Sequence, residues 1–303
     1  MSTSYAEPVL TWYARNARDL PWRAPDATPW AVLVSEIMLQ QTPVARVLPE
    51  YLSWIARWPT PAALAAEPAG EAIRQWGRLG YPRRALRLHE TATILVTRHG
   101  GTVPADLDAL RALPGIGTYT AAAVASFAFG QRHAVLDTNV RRVLARLVAG
   151  QPRAGGASSA SVAERRLAES LLPAEPAVAA RWSVAVMELG ALVCTAAGPR
   201  CGDCPVAREC AWLAAGCPAP ATATGGMVGA ARRRTQKYEG TDRQCRGRLL
   251  AVLRDCAGPV PGSQLEAAWA DQLQRNRALD GLVADGLVDP LPDGRFALPG
   301  TQF

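Results

Sequence analysis

The chain has 303 residues, 49% of them hydrophobic, with a formal net charge of +7 and an isoelectric point near 9.3. This length and composition exclude a disordered tail and suit two domains, or one large domain with a small companion. The basic balance permits a polyanionic partner without demanding one. No apolar run reaches about 18 residues, so no membrane span is expected. The first residues, MSTSYAEPVL, lack a basic–apolar–small pattern, so no secretory signal is expected either. Lys237 is the single lysine, and arginine makes up the rest of the basic complement. Seven cysteines, four of them clustered, favour a metal site in a reducing cytoplasm over a disulfide framework.

From the N-terminus the chain reads as helix after helix. A first helix over 8–16 is broken by Leu20-Pro21-Trp22-Arg23. Thr28-Pro29 then supplies an N-cap with proline at the first helical position. The helix expected over 30–40 sets Leu33 and Ile37 on one face and Glu36 and Gln40 on another. Thr42-Pro43 is expected to cap a helix carrying Val44, Val47, Leu48, Tyr51, Leu52 and Ile55 at helical spacing. Short helices are expected over 61–66 and 70–76, and a long one over 83–99 after the loop 77–82. Leu113-Pro114-Gly115-Ile116-Gly117 is a tight turn feeding a helix at Thr118, where unpaired N–H groups form an anion site. With Arg141 and Arg142 downstream, the natural anion is a nucleic-acid phosphate; a plain helix–helix turn is the alternative. Asp137 caps a helix over 140–148, and amphipathic helices over 164–172 and 178–192 accompany a Gly/Ser-rich loop at 155–161. Period-2 alternation is nearly absent before residue 285, so this part is all-α.

Cys194, Cys201, Cys204 and Cys210 are spaced C-x6-C-x2-C-x5-C. One short pair with longer arms fits a [4Fe–4S] cubane better than structural zinc, which usually shows two tight knuckles; zinc is the alternative. Cys217, Cys245 and Cys256 read as packing or surface thiols. Residues 214–240 form a linker whose Arg232-Arg233-Arg234 run is either a solvated segment or a DNA contact. In 241–303, a helix over 243–255 places Leu249, Leu250 and Leu253 on one stripe. Ser263 is expected to cap a helix with Leu265 and Trp269, and a helix over 272–286 carries Leu273, Leu279, Leu282 and Val283. A hairpin forms around Pro292-Asp293-Gly294. Three helices and a hairpin predict a small winged-helix-like domain.

Several motifs then occur in order: Ser35-Glu36-Ile37-Met38-Leu39-Gln40-Gln41-Thr42, Leu79-Gly80-Tyr81, the 113–117 turn, Leu136-Asp137-Thr138-Asn139-Val140-Arg141-Arg142 and the four cysteines. Together, over residues 8–212, they resemble the adenine DNA glycosylases, the MutY-type branch of the helix-hairpin-helix glycosylases related to endonuclease III. The resemblance implies an all-α, two-module fold. A six-helix module would span about 29–135, and a [4Fe–4S] module 1–28 and 136–213, with the cluster on Cys194, Cys201, Cys204 and Cys210. It implies a cytoplasmic monomer that removes adenine mispaired with 8-oxoguanine or guanine from double-stranded DNA. By the same carry-over, Glu36 protonates adenine N7, Asp137 stabilises or transiently bonds the sugar carbon, and Tyr119 and Asn139 support them. Gln41, Thr42, Leu79 and Tyr81 probe or wedge the strand, and Trp22 and Arg23 edge the adenine pocket. Gly115, Gly117 and Arg141 meet phosphate.

The residues' own chemistry agrees. A base stacked in duplex must be flipped out before its glycosidic bond can be broken. The cleavage then needs an acid for the leaving group and a negative charge for an oxocarbenium-like sugar. Glu36, on a largely apolar helix, is the candidate acid, because burial raises a carboxyl pKa. Asp137, beside Arg141, is the candidate that stays ionised; a plain surface glutamate and a plain N-cap are the ordinary readings of the two. Bifunctional relatives place a lysine where Tyr119 stands. Schiff-base chemistry needs an amine, so this chain reads as monofunctional. Two departures matter: Val184 stands where relatives carry an amide or carboxylate toward adenine, and the C-terminal segment is too short and helical for a nucleotide-hydrolase-like domain that recognises 8-oxoguanine. The alternatives are a glycosylase for thymine opposite guanine and a non-catalytic iron–sulfur DNA-binding protein.

Overall fold

The computed structural model describes residues 5–152, 159–219 and 238–301. The Arg232–Arg234 run, Lys237, most of the linker and the start of the Gly/Ser-rich loop lie outside the described residues. In chain order the helices are α1 (Ala6–Asn16), α2 (Pro29–Leu39), α3 (Val44–Arg57), α4 (Pro61–Ala65), α5 (Ala69–Trp76), α6 (Arg83–His99), α7 (Leu107–Arg111) and α8 (Thr118–Phe129). They continue as α9 (Thr138–Leu147), α10 (Val162–Leu171), α11 (Pro176–Leu192), α12 (Ala211–Ala214), α13 (Asp242–Asp255), α14 (Gly262–Ala268) and α15 (Gln272–Ala284). Two single-turn 3-10 helices (Pro21–Arg23 and Cys201–Asp203) and the short strands β1 (Val260–Pro261), β2 (Asp289–Pro290) and β3 (Arg295–Ala297) complete the described elements. Among the described residues no helix is long and apolar enough to cross a membrane. Contacts group Met1–Glu36, Pro104–Ala112 and Ile116–Gly226 into one compact unit, and Ile37–Val103, Leu113–Gly115 and Met227–Phe303 into another.

In the first unit α11 is the central strut, with α1 and α9 packed against it. Its start is fixed by Glu175, whose carboxylate accepts from the Ala177 and Val178 N–H groups, and by Pro176 at the first helical position. Val143, Leu144 and Leu147 of α9 meet Trp182, Val186 and Leu189 of α11 in one apolar core, joined by Val9 of α1. Ser161 and Glu164 form a reciprocal capping box at the start of α10.

The second unit is built on three tryptophans. Trp54 packs edge-on against Trp58 at 4.6 Å and Trp76 at 5.7 Å between centroids, joining α3 to α5. Its C-terminal part is three helices with an antiparallel sheet in the order β1-β3-β2, in which Val260 lies opposite Phe296 and Asp289 opposite Ala297. This matches the winged-helix expectation and adds β1, whose two residues are too few to leave an alternating pattern. The C-terminal residues dock on α5: the Gly70 N–H donates to the Pro299 carbonyl at 2.7 Å, and Arg254 Nε donates to the Ile73 carbonyl at 3.1 Å.

Several local expectations are corrected. Residues Trp30 to Met38 are buried in succession, so α2 is not split into an apolar and a polar face, and Glu36 is buried as a candidate acid is expected to be. Thr28 does cap α2, accepting from the Ala31 N–H. Thr42 does not cap α3; Pro43 holds that position, and the Thr42 hydroxyl donates instead to the Gln40 carbonyl. Ser263 lies inside the first turn of α14 and makes no cap. Leu52 and Leu273 point outward, 52% and 80% exposed, while Trp54 fills the core of α3 and Arg275, Ala278 and Leu282 form the inner face of α15.

A Cβ on Gly70 would sit 2.8 Å from the Leu298 Cβ and 2.9 Å from the Pro299 carbonyl oxygen. Gly70→Ala should therefore force the C-terminal segment off α5 and lower unfolding stability by about 1–3 kcal/mol, the usual cost of overpacking. Urea unfolding of wild type and variant measures it, and an unchanged midpoint would refute this docking.

Candidate active site

Glu36, Tyr119, Asp137 and Asn139 all belong to the first compact unit. Glu36 is 5% exposed on α2. Its carboxyl is pushed up to about 7, first by loss of water and further by the negative charge of Asp137, against the Tyr119 hydroxyl and the Arg23 charge. Tyr119, in the first turn of α8, donates its hydroxyl to Glu36 and packs on Ala122, Ala123 and Val135. Burial and the two nearby carboxylates hold its own pKa well above the ordinary phenol value.

Asp137 is the N-cap of α9. Its Oδ1 accepts from the Val140 N–H at 2.6 Å and its Oδ2 from the Asn139 side-chain amide at 2.7 Å. Burial raises its pKa, while these donors, the Asn139 backbone N–H and the Arg142 charge all favour the ionised form. The helix N-terminus adds to them. The donor set separates the two carboxyls: Asp137 is surrounded by N–H groups, and Glu36 by apolar side chains and one hydroxyl. The pair is thus set for one group to hold a proton while the other carries charge.

Asn139 is held in turn. Arg142 Nη2 donates to Asn139 Oδ1 at 2.8 Å and to the Gly190 carbonyl at 2.7 Å, and its Nε donates to the Cys194 carbonyl at 2.7 Å. A Cβ on Gly190 would lie 2.7 Å from the Asn139 Cβ, so the closeness of α9 and α11 at this point requires glycine. One turn on, the buried Arg146 donates to Cys194 Sγ at 3.4 Å and to the Thr195 carbonyl at 2.7 Å, and lies 4.5 Å over the Trp212 ring. Cys194, Cys204 and Cys210 pack on the same core, and all four thiols are free. The Cys204 thiol is pushed up to about 11 by burial and by the charges of Cys194, Cys210 and Cys201, which marks the four as mutual neighbours. Among the described residues no three His, Cys, Asp or Glu side chains form a ligand set for a single metal ion.

The sequence missed Glu188, Arg18 and Arg146, and it gave Arg142 to phosphate rather than to Asn139. Glu188 is fully buried on α11; Arg18 grips it with two bonds of 2.7 Å, and Arg23 Nη2 adds one of 3.0 Å. These partners hold Glu188 down to about 2 despite its burial. The signal was a lone carboxylate inside the apolar run of α11, which demands a buried cation. Arg23 therefore has one face fixed by Glu188, and its Nη1 is buried without a hydrogen-bond partner. Trp22 is buried beside it.

Arg141 is corrected: it is buried and paired with Glu164 at 3.0 Å, so Arg142 instead supports Asp137. In the second unit, Leu79 is 3% exposed and belongs to the core, whereas Tyr81 is 54% exposed. Thr42 is buried and accepts from Arg84 Nη2 at 3.1 Å. Gln41 and Tyr81 sit at φ 55° and 49°, a left-handed backbone that costs a non-glycine residue on the order of 1–3 kcal/mol. Arg84, buried and missed by the sequence reading, binds the Ile37, Met38, Gln40 and Gly80 carbonyls and holds both loops in place. Gly115 is left-handed at φ 74°. Gly117 has an ordinary φ of −88° with open space where a Cβ would point, so local backbone geometry does not require glycine there.

A family model described as HhH-GPD superfamily base excision DNA repair protein matches residues 34–171. The chain is 53% identical to the adenine DNA glycosylase of Mycobacterium tuberculosis over 296 residues, covering 97% of this chain and 93% of that protein. It is 52% identical to the adenine DNA glycosylase of Mycolicibacterium smegmatis over 301 residues, covering 99% and 97%. Among solved structures, a thermostable thymine-DNA glycosylase matches with a TM-score of 0.61 at 28% identity, covering 70% of this chain and 95% of that one.

Burial of Glu36 has a sign in stability. With its pKa raised from 4.5 to about 7, its contribution is full below pH 4.5 and is lost as pH rises through 7. Ionised, the group costs on the order of 3 kcal/mol. Glu36→Gln, which cannot ionise, should gain about that much on wild type between pH 4.5 and pH 8 in urea unfolding. A difference that does not change with pH would contradict the assignment.

Proposed function

The chain belongs to the adenine DNA glycosylases of the helix-hairpin-helix superfamily, and from that premise we propose that it removes adenine mispaired with 8-oxoguanine or guanine from double-stranded DNA, by protonation-assisted hydrolysis without strand cleavage. One observation carries the reading: a buried Glu36 whose pKa is about 7, hydrogen-bonded to Tyr119 and within electrostatic reach of Asp137. Near neutral pH Glu36 keeps a proton to give. Donated to N7 of a flipped adenine, it lets the electrons of the N-glycosidic bond leave with the base. The sugar becomes an oxocarbenium-like cation, which the Asp137 carboxylate, fixed by Val140 and Asn139, stabilises until water adds. Tyr119 orients the Glu36 carboxyl. Arg23, fixed by Glu188 with its Nη1 unpaired, is a donor available to the base.

The position that would make the enzyme a lyase holds a phenol. No amine stands beside Glu36 and Asp137 among the described residues, and the nearby arginines cannot deprotonate to supply one. The product is an abasic site on an intact strand.

The free thiols of Cys194, Cys201, Cys204 and Cys210 fit a [4Fe–4S] cluster. These four residues would hold such a cluster through their thiolates. When bound, the cluster would cross-link the 194–210 loop, whose first carbonyl Arg142 ties to Asn139. Purified protein should contain iron and acid-labile sulfide in equal amounts, and zinc without sulfide would overturn the assignment.

Single-turnover assays on duplexes with A opposite 8-oxoguanine, A opposite G and T opposite G, with and without alkali, test the activity. Adenine release is expected, with strand breaks appearing after alkali treatment alone. The rate should fall as pH rises through about 7 and Glu36 loses its proton, and Glu36→Gln should lower it by roughly 10²–10⁴-fold. Breaks without alkali would refute the monofunctional reading, and no adenine release from any duplex would refute the function.

A further inference from the structure

The second compact unit holds a cavity of about 1130 Å³ with one wall from the segment between Gln40 and Arg87 and the other from the C-terminal domain. Its lining is strongly basic: nine arginines against one carboxylate, Asp285. Some of these charges are committed. Arg83 and Arg246 share Asp285, and Arg84 is buried against backbone carbonyls. Five are exposed and, among the described residues, have no carboxylate partner: Arg46, Arg78 and Arg87 on one wall, Arg243 and Arg248 on the other. Arg87 lies directly against the left-handed Gly115 of the turn, where a Cβ would meet its side chain at 3.0 Å. Each wall also carries an exposed tyrosine with an arginine near its ring: Tyr81 with Arg84 at 5.1 Å, and Tyr238 with Arg243 at 5.9 Å.

We propose that this groove binds the sugar–phosphate backbone of the DNA, and that the C-terminal domain grips it with α13, its first helix, rather than with α15, its third. A three-helix domain of this kind usually presents its recognition helix to the major groove. Here α15 is poorly equipped for that. Arg275 is buried, Arg277 is held by Asp242 at 3.0 and 2.9 Å, and the outward face carries Leu273 and Asp280. On α13, residues 243, 247, 250, 251 and 254 recur at helical spacing along the groove, with Arg248 at its edge. Gly247 lies in the middle of that face and leaves it low; a Cβ there would already sit 3.3 Å from the Tyr238 hydroxyl. Unpaired arginines on two facing walls bracket a polyanion, and such contacts position a duplex without reading its sequence. The groove extends the DNA-repair reading and rests on it for the identity of the polyanion. It gives the C-terminal domain a task in holding DNA.

The test is equilibrium binding by fluorescence anisotropy, as a function of salt, to an undamaged duplex and to one with A opposite 8-oxoguanine. In the full chain, Arg243→Glu with Arg248→Glu should weaken binding to both duplexes alike, by about tenfold or more at moderate salt. It should also reduce the slope of log K against log salt by about 1 per arginine. Arg277→Ala on α15 should leave affinity and slope unchanged. Wild-type affinity and slope in the α13 variant would overturn the proposal, as would a reduced slope in the α15 variant. A loss confined to the 8-oxoguanine duplex would also overturn it, because that marks base reading. Nothing can be excised from the undamaged duplex, so failure of the excision chemistry and failure of the groove are distinguishable.

Discussion

A carboxyl group sealed among apolar side chains is the constraint on which the active unit depends. Glu36 sits in a helix buried from Trp30 to Met38, with the Tyr119 hydroxyl as its nearest donor. An unpaired carboxylate in such a place is so costly that the group keeps its proton to about pH 7 instead. In the proposed mechanism that retained proton is the reagent for breaking a glycosidic bond. The same burial would be useless if Asp137 behaved alike. Asp137 differs because it caps α9, where the Val140 N–H, the Asn139 amide and the Arg142 charge supply what Glu36 lacks. Two carboxyls in one unit are set apart by what donates to them, while desolvation acts on both.

Helix α9 carries this arrangement outward. Its N-terminus holds Asp137 and Asn139. Arg142 then binds Asn139, the Gly190 carbonyl and the Cys194 carbonyl, and Arg146 binds the Cys194 sulfur and the loop after it. Gly190 lets α11 come close enough for the network to close. The cysteine loop is thereby connected through a single side chain, Arg142, to Asn139, which holds the Asp137 carboxylate. Glu188, itself fully buried on α11, fixes Arg18 and Arg23 with short contacts, so the cation that acts on Glu36, Arg23, is equally constrained. The active unit is a rigid frame around one deliberately uncomfortable acid.

Much of this was legible in the sequence, for identifiable reasons. Helix order and the Asp137 cap follow from local signals, namely apolar spacing, proline and a capping residue, which act within a turn or two. The pairing of Glu36 with Asp137 and the meaning of Tyr119 came from the resemblance and from acid–base chemistry. Long-range partnership was not legible. Arg141 and Arg142 are neighbours in sequence, and only their surroundings send one to Glu164 and the other to Asn139. Leu79 and Tyr81 both read as wedges, but the fold buries the first and turns the second outward on a left-handed backbone. Glu188 left a trace, a charge in an apolar run, whose partner 170 residues away no local pattern could name. Strand β1 was too short to alternate at all.

The proposed chemistry depends on the protonation state of Glu36, which infrared difference spectroscopy can read without substrate. Wild-type minus Glu36→Gln spectra, titrated from pH 4 to pH 9, isolate the C=O stretch of that one carboxylic acid. The band should persist through the ordinary carboxyl range and disappear with a midpoint at about 7. Loss of the band near the unperturbed value of 4.5 would mean that Glu36 is ionised where the enzyme must donate a proton, and would contradict the mechanism.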